Sequence, residues 1–271
     1  MEFKRLYGPW AVIAGASEGT GRAFARRIAA EGISCILIAN GGPLEETAQA
    51  IRRESGVEVL TGAIDLSAPD AGARIIALAG EREVGLYVSN AGADRFGDRF
   101  LDREMDDWLA LNRINVDTML ACSHHFGRQM RERRRGGILI VNSGACYGGG
   151  KFLAIYCAVK GFQLNFAESL WSELRPYGVD VLTLVLGQTD TPAYHRLQAR
   201  KGMPAGPNLA SPDAVAEEGL AYLSQGPVRN FGFDDDDTTL PSSAAVRRKN
   251  VLFMEEAIKY VFGDQPETDL V

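Results

Sequence analysis

Residues 10–25 read Trp10-Ala-Val-Ile-Ala14-Gly15-Ala16-Ser17-Glu18-Gly19-Thr20-Gly21-Arg22-Ala23-Phe24-Ala25. Trp10 to Ala14 is continuously apolar, as a strand buried on both faces is, and a helical pattern opens at Thr20. A glycine-rich turn joins the two. A strand, such a turn and a helix N-terminus form a site for a pyrophosphate, because unpaired N–H groups and the helix dipole face the anion. Gly15, Ser17, Glu18, Gly19, Thr20 and Gly21 are its candidate contacts. The spacing is GxxxGxG and not GxGxxG, so by itself the motif is equally at home in a structural tight turn.

Outward from this unit the same alternation continues. Trp10–Ala14, Ser34–Ala39, Val57–Thr61, Val84–Ser89, Gly137–Asn142, Val179–Leu186 and Arg229–Phe233 read as strands. Helical periodicity covers Thr20–Glu31, Pro43–Glu54, Ala68–Gly80, Met105–Arg135, Ala154–Pro176, Pro212–Ser224 and Pro241–Phe262. This order predicts a doubly wound α/β fold, a parallel sheet of about seven strands with helices on both faces. No repeat and no Pro-, Gly- or Ser-rich linker divides the chain, so residues 1–271 are expected to form a single domain.

Composition narrows the function. There are 29 basic and 35 acidic side chains, a net charge of −6, which argues against nucleic acid or an anionic membrane surface as the partner. The four cysteines show no CxxC or framework spacing, which suits a reducing cytoplasm. Three histidines without HExxH predict no histidine metal site. No apolar run approaches the ~18 residues of a membrane span. Lys4 and Arg5 precede an apolar stretch too short for a signal peptide. Arg131 and Arg133–Arg135 read as the cationic end of a helix, and Asp234–Asp237 as a solvated loop in preference to a cation site.

The second strand ends at Ala39-Asn40, where a dinucleotide fold addresses the adenosine ribose. A carboxylate there would hold the ribose hydroxyls of NAD; Ala39 removes the repulsion that a 2′-phosphate would meet. Pro43, after Gly41-Gly42, suits the first position of a helix whose N-terminus would receive that phosphate. NADP is therefore placed ahead of NAD. Tyr156 and Lys160 stand at i and i+4, on one helix face. A cation beside a phenol favours phenolate, so the tyrosine is expected to titrate below its ordinary ~10 and to exchange a proton with an alcohol or carbonyl oxygen. Alone, such a pair is an ordinary structural feature. Ser143 lies thirteen residues earlier at the end of a strand, on the side where open α/β sheets bind ligands.

With these residues in order, the chain resembles the short-chain dehydrogenase/reductase family, whose fold is Rossmann-like. The resemblance rests on Gly15–Gly21, Asp65-Leu66, Asn90-Ala91-Gly92, Asn115, Ser143 and the Tyr156/Lys160 pair. It implies an NAD(P)-dependent oxidoreductase interconverting a secondary alcohol and a ketone. Tyr156 would be the general acid/base and Ser143 would polarise the substrate oxygen. Lys160 would bind the nicotinamide ribose and lower the tyrosine pKa. Asn115 would hold, through its backbone, a water in the proton relay from Lys160. Asp65 with Leu66 would meet the adenine, Asn90, Ala91 and Gly92 the adenosine ribose, and Gly187 and Thr189 the nicotinamide carboxamide. It also implies a homodimer or homotetramer built on the helices of Asn115 and Tyr156.

Two departures stand out. The family's Pro-Gly after the sixth strand is Leu186-Gly187 here, and Ala14 replaces a common threonine. Residues 190–210, irregular and proline-punctuated, are expected to form a loop over the substrate. Tyr194, Leu197 and Met203 within it, with Cys146, Tyr147 and Leu153, would make an apolar pocket or pack against neighbouring helices. The competing function is a non-catalytic dinucleotide-binding sensor or scaffold, which would have no need of Ser143 or Tyr156.

Overall fold

The computed structural model describes residues 2–262. A short helix α1 (Glu2–Tyr7), absent from the sequence expectation, precedes β1 (Trp10–Ala14), α2 (Gly19–Ala30), β2 (Ser34–Ala39), α3 (Leu44–Ser55), β3 (Val59–Ala63) and α4 (Ala71–Ala79). There follow β4 (Val84–Ser89), α5 (Met105–Asn112), α6 (Thr118–Arg133), β5 (Gly136–Ser143), α7 (Ala154–Leu174) and β6 (Val179–Leu186). α8 (Pro192–Lys201), α9 (Pro212–Ala221), β7 (Val228–Asn230) and α10 (Ala244–Phe262) complete the described residues.

The seven strands lie in the order β3-β2-β1-β4-β5-β6-β7, and every neighbouring pair is parallel. The order reverses between β1 and β4, so the loops after these strands part to opposite sides and leave a crevice at their carboxyl ends. Register brings those ends level. Ala14 pairs with Ile38 on one side and Ser89 on the other, and Ser89 pairs with Ile140. β5 then runs on to Ser143, opposite Leu186, which carries the serine past the level of Ser89.

The continuous apolar runs are explained by burial on both faces. Ala11 and Ile13 of β1 pack with Phe24, Ile28, Ile51 and Val215, from α2, α3 and α9. Val12 and Ala14 face the opposite layer, with Ile75, Met119, Phe126 and Ala167 from α4, α6 and α7. No helix among the described residues is long and apolar enough to cross a membrane.

Several boundaries differ from expectation. β3 begins two residues late, at Val59, because register with Cys35 and not local hydropathy selects the paired residues. β7 is only Val228–Asn230, because the chain turns away at Gly232, whose φ is +76°. Met105–Arg135 is not one helix: a π-helical turn at Arg113–Asp117 interrupts it, and Arg134 ends it in the left-handed region with φ 53°. The segment expected to be irregular holds α8, with the Thr191 side chain accepting from the Tyr194 N–H at 3.2 Å, Pro192 in the first turn and left-handed Gly202 beyond it. Pro43 sits one place before α3, at the N-cap, instead of opening it.

The aspartate run is not uniformly solvated either. Asp235 is 6 % exposed and accepts from the Asn230 backbone and side chain at 2.6 Å each and from the Ala244 N–H at 3.1 Å. It ties β7 to the start of α10. The arginine run does close a helix end: Arg133 donates to the Val84 carbonyl at 2.9 Å and Arg135 pairs with Glu83.

Candidate active site

At the first βα junction each glycine has a separate task. Gly15 (φ +87°) and Gly19 (φ +55°) occupy the left-handed region that side chains disfavour. Gly21 lets α2 close on the turn, since a Cβ there would lie 1.9 Å from the Gly15 carbonyl oxygen. That oxygen accepts from Asn90 Nδ2 at 2.9 Å, and the Asn90 and Ala91 N–H groups donate to the Ala14 carbonyl, so the loops after β1 and β4 are fastened together. Glu18 stands at the N-cap of α2 but makes no side-chain cap, and its carboxylate pairs with Arg196 of α8 instead. The first-turn N–H groups of α2 therefore gain no partner from that side chain.

Ala39 is buried at the end of β2, and Gly41 and Gly42 (φ +84° and +67°) carry the chain back past Ser17. Thr47 Oγ1 donates to the Ser17 carbonyl at 3.1 Å and fixes α3 to the glycine turn. Asp65 Oδ1 accepts from the Ser67 N–H and hydroxyl at 2.9 and 2.7 Å, which holds this carboxyl below the usual range. The Leu66 carbonyl accepts from Thr118 Oγ1 at 3.0 Å.

The second half supplies the reactive groups. Asn142 is the fastener: its amide donates to the Lys160 carbonyl at 3.1 Å and to Thr183 Oγ1 at 3.2 Å, docking α7 on β5. Its Oδ1 accepts from the Ser143 N–H at 2.8 Å. Lys160, 3 % exposed, donates from Nζ to the Val141 carbonyl at 3.1 Å and to Gln163 Oε1 at 2.9 Å. Its Nζ is 5.7 Å from the Tyr156 ring centroid. Burial pushes the Lys160 ammonium down to about 7.

Here the sequence expectation for Tyr156 needs correcting. Its pKa is raised, because burial outweighs the Ser143 hydroxyl beside it, which pulls the other way. A lysine whose own charge is disfavoured by burial is a weak counter-charge.

Asn115 is fully buried in the π-helical turn. Its Nδ2 donates to the Leu111 carbonyl at 2.9 Å, its Oδ1 has no partner among the described residues, and its backbone carbonyl accepts from Gln163 Nε2 at 2.7 Å. Gly92 (φ +134°) lies against this carboxamide; a Cβ there would sit 2.2 Å from Asn115 Oδ1.

One cleft of ≈ 1030 Å³ joins both halves of the site. Ser17, Glu18, Ala39, Asn40, Asp65, Asn90, Ser143, Tyr156, Lys160, Gly187 and Thr189 all line it, while Gly21 and Asn115 stand behind its wall. Tyr194, Leu197 and Leu153 line it as expected, but Met203 is exposed and Tyr147 turns its hydroxyl to Asn230 at 2.7 Å. Cys146 packs with Leu164, Val185 and Val228 instead. Sequence reasoning missed Gln163, which accepts from Lys160, and Arg196 and Asp94, which line the cleft. Gln163 had a signal, since it stands at i+3 from Lys160 on the same helix face; the other two had none within their own segments.

A glycine cradle too tight for a Cβ, set at the switch point and opening on a buried lysine and a half-buried tyrosine, fits a nicotinamide dinucleotide, and fold and cleft together define an NAD(P)-dependent oxidoreductase. The sequence profile of the short chain dehydrogenases matches residues 9–202, and the chain belongs to that family. It is 29% identical over 230 residues to a 7beta-hydroxysteroid dehydrogenase of Clostridium sardiniense, covering 83% of this chain and 86% of that one. A solved structure concerned with 7beta-hydroxysteroid dehydrogenase stereoselectivity superposes with TM-score 0.80 at 27% identity, over 94% of this chain and 100% of the other. A short-chain dehydrogenase from Sphingobium yanoikuyae in complex with NADPH has the same fold, with TM-score 0.76 at 24% identity over 97% and 99% of the two chains.

Proposed function

We propose that the chain interconverts a secondary alcohol and a ketone on an apolar substrate, with NADP preferred over NAD. The observation that carries this reading is that Ser143, Tyr156 and Lys160 line the same cleft as the glycine-rich turn. The nicotinamide cofactor, when bound, supplies or accepts the hydride. Tyr156 gives or takes the proton at the substrate oxygen, and its raised pKa keeps it in the donor form needed for ketone reduction. Ser143 hydrogen-bonds the same oxygen. Lys160 holds the nicotinamide ribose; the Asn115 backbone carbonyl, expected to hold a water relaying protons from Lys160, accepts from Gln163 Nε2 at 2.7 Å.

Gly15, Ser17, Gly19, Thr20 and Gly21 form the pyrophosphate cradle, with Glu18 at its edge. Ala39 and Asn40 face the adenosine ribose, together with Asn90, Ala91 and Gly92. Asp65 and Leu66 border the adenine, and Gly187 and Thr189 the carboxamide. Leu153, Ala193, Tyr194 and Leu197 give the substrate end its apolar lining, and the hydroxysteroid dehydrogenases among the relatives support a bulky, rigid alcohol. The chain acts as one domain in the cytoplasm, a placement supported by its four free cysteines. Exposed Met105, Leu109 and Phe162 support a homodimer or homotetramer on the α5 and α7 surfaces.

The test is a screen of hydroxysteroids and bulky ketones with NADPH and NADH, following absorbance of the reduced nicotinamide. Tyr156→Phe is expected to lower kcat by at least about 10²-fold while cofactor binding persists. Retention of more than about a tenth of the activity removes Tyr156 from the acid/base role.

A further inference from the structure

We propose that Gln163 is a positioning residue whose side-chain amide bridges Lys160 Nζ to the Asn115 backbone carbonyl and sets the protonation and direction of the lysine. The inference deepens the oxidoreductase reading and rests on it for its catalytic meaning. Gln163 is 1 % exposed, and both ends of its amide are engaged: Oε1 accepts from Lys160 at 2.9 Å and Nε2 donates to the Asn115 carbonyl at 2.7 Å.

The amide has only one workable orientation. Turned over, it would set an NH₂ group against an ammonium and an oxygen against a carbonyl, two repulsive contacts where there are now two hydrogen bonds. The carbonyl expected to hold a relay water is thus engaged by a side chain of this protein. Lys160 has three N–H donors, of which Val141 and Gln163 take two, leaving one for the cleft that the lysine lines. A buried cation with two neutral acceptors keeps its proton better than one with a single acceptor.

The bridge spans three elements. Gln163 and Lys160 belong to α7, Val141 to β5, and Asn115 to the π-helical turn between α5 and α6. Through that amide it couples the lysine to the backbone of the turn whose Asn115 side chain lies against Gly92. The other titratable groups around the pair are Tyr156 and Cys157 on α7, Cys146 after β5 and Asp94 after β4, with Arg247 and Glu168 beyond Cys146. None of them is altered by substitution at 163.

The experiment follows the Lys160 side chain by NMR in the full-length, lysine-labelled protein without added cofactor, with Lys160→Met identifying the signal. Gln163→Met removes both hydrogen bonds at similar volume and is expected to lower the titration midpoint by about one pH unit. Gln163→Glu keeps the acceptor, makes it anionic, and is expected to raise the midpoint; it also carries the test should Gln163→Met fail to fold. Unchanged midpoints in the variants overturn the proposal.

A second readout is the NADPH dissociation constant from fluorescence titration, expected to rise about tenfold in Gln163→Met. A shifted midpoint with unchanged cofactor affinity overturns the directing role. The titration does not depend on turnover. A protein that reduces none of the ketones yet shows the midpoint shift would lose the alcohol–ketone reading and keep the bridge.

Discussion

Arg196 of α8 closes a two-contact ion pair with Glu18 at the N-cap of α2, one of its contacts measuring 3.0 Å. The pair fastens the helix that follows β6 to the glycine-rich turn, across a cleft that both residues line. The two side chains are 178 positions apart, and the arginine is largely exposed.

An exposed pair of this kind contributes at most about 1 kcal/mol to stability. Its larger effect is on motion. We predict that Arg196→Ala leaves the unfolding midpoint nearly unchanged but speeds NADPH release several-fold, measured by stopped-flow displacement. Glu18→Gln should do the same, and the double variant should add little to either, because both remove the same ion pair. Additive effects would show that the two residues act separately.

The buried lysine makes stability depend on pH in a defined direction. Lys160 titrates near about 7 in the folded chain, against ~10.4 for an unfolded lysine. Between these values the unfolded chain binds a proton that the folded chain lacks, so unfolding free energy rises with pH by up to about 1.4 kcal/mol per unit. Burial raises Cys35 and Cys146 to about 12, and raised thiols act oppositely, losing their stabilisation above the ordinary ~8.5. The clean window is therefore pH ~7.5 to ~8.5. Urea unfolding across it should show wild type gaining about 1 kcal/mol relative to Lys160→Met. Parallel pH profiles would contradict the burial of a neutral lysine.

Cofactor choice is tested at the end of β2. Ala39→Asp places a carboxylate where a 2′-phosphate would lie and where free ribose hydroxyls would find an acceptor. The ratio of kcat/KM for NADPH over NADH should fall by about 10²-fold or more, the scale of a like-charge contact costing several kcal/mol. A parent enzyme that already favours NADH strongly would shift the determinant away from Ala39.

Asp235 should prove structural. It accepts from the Asn230 backbone and side chain at 2.6 Å and from Ala244 at 3.1 Å, and stands 3.4 Å from Arg229. Asp235→Ala leaves those donors unpaired and is expected to cost about 2–4 kcal/mol in urea unfolding. Asp234→Ala, in the exposed part of the run, should cost less than about 0.5 kcal/mol. Equal costs would mean that burial of Asp235 carries no weight.

What could be read along the chain was whatever depends on near neighbours. β1, β2, β4 and β6 were legible at their observed limits because strands covered on both faces must be apolar without a break. The Gly15–Gly21 turn, and Tyr156 one helical turn before Lys160, were legible because φ limits and helix periodicity act over a few residues. The π-helical turn that isolates Asn115, and α8 inside a proline-punctuated segment, were not, since hydropathy does not record which backbone carbonyls change partners. Nor could the chain announce that Glu18 meets Arg196, that Gln163 reaches the Asn115 carbonyl, or that Asp235 is buried while its neighbours are not. Those contacts, and the opposite pKa shifts of Lys160 and Tyr156, exist only once strand register and packing between layers bring distant residues together and exclude water from them.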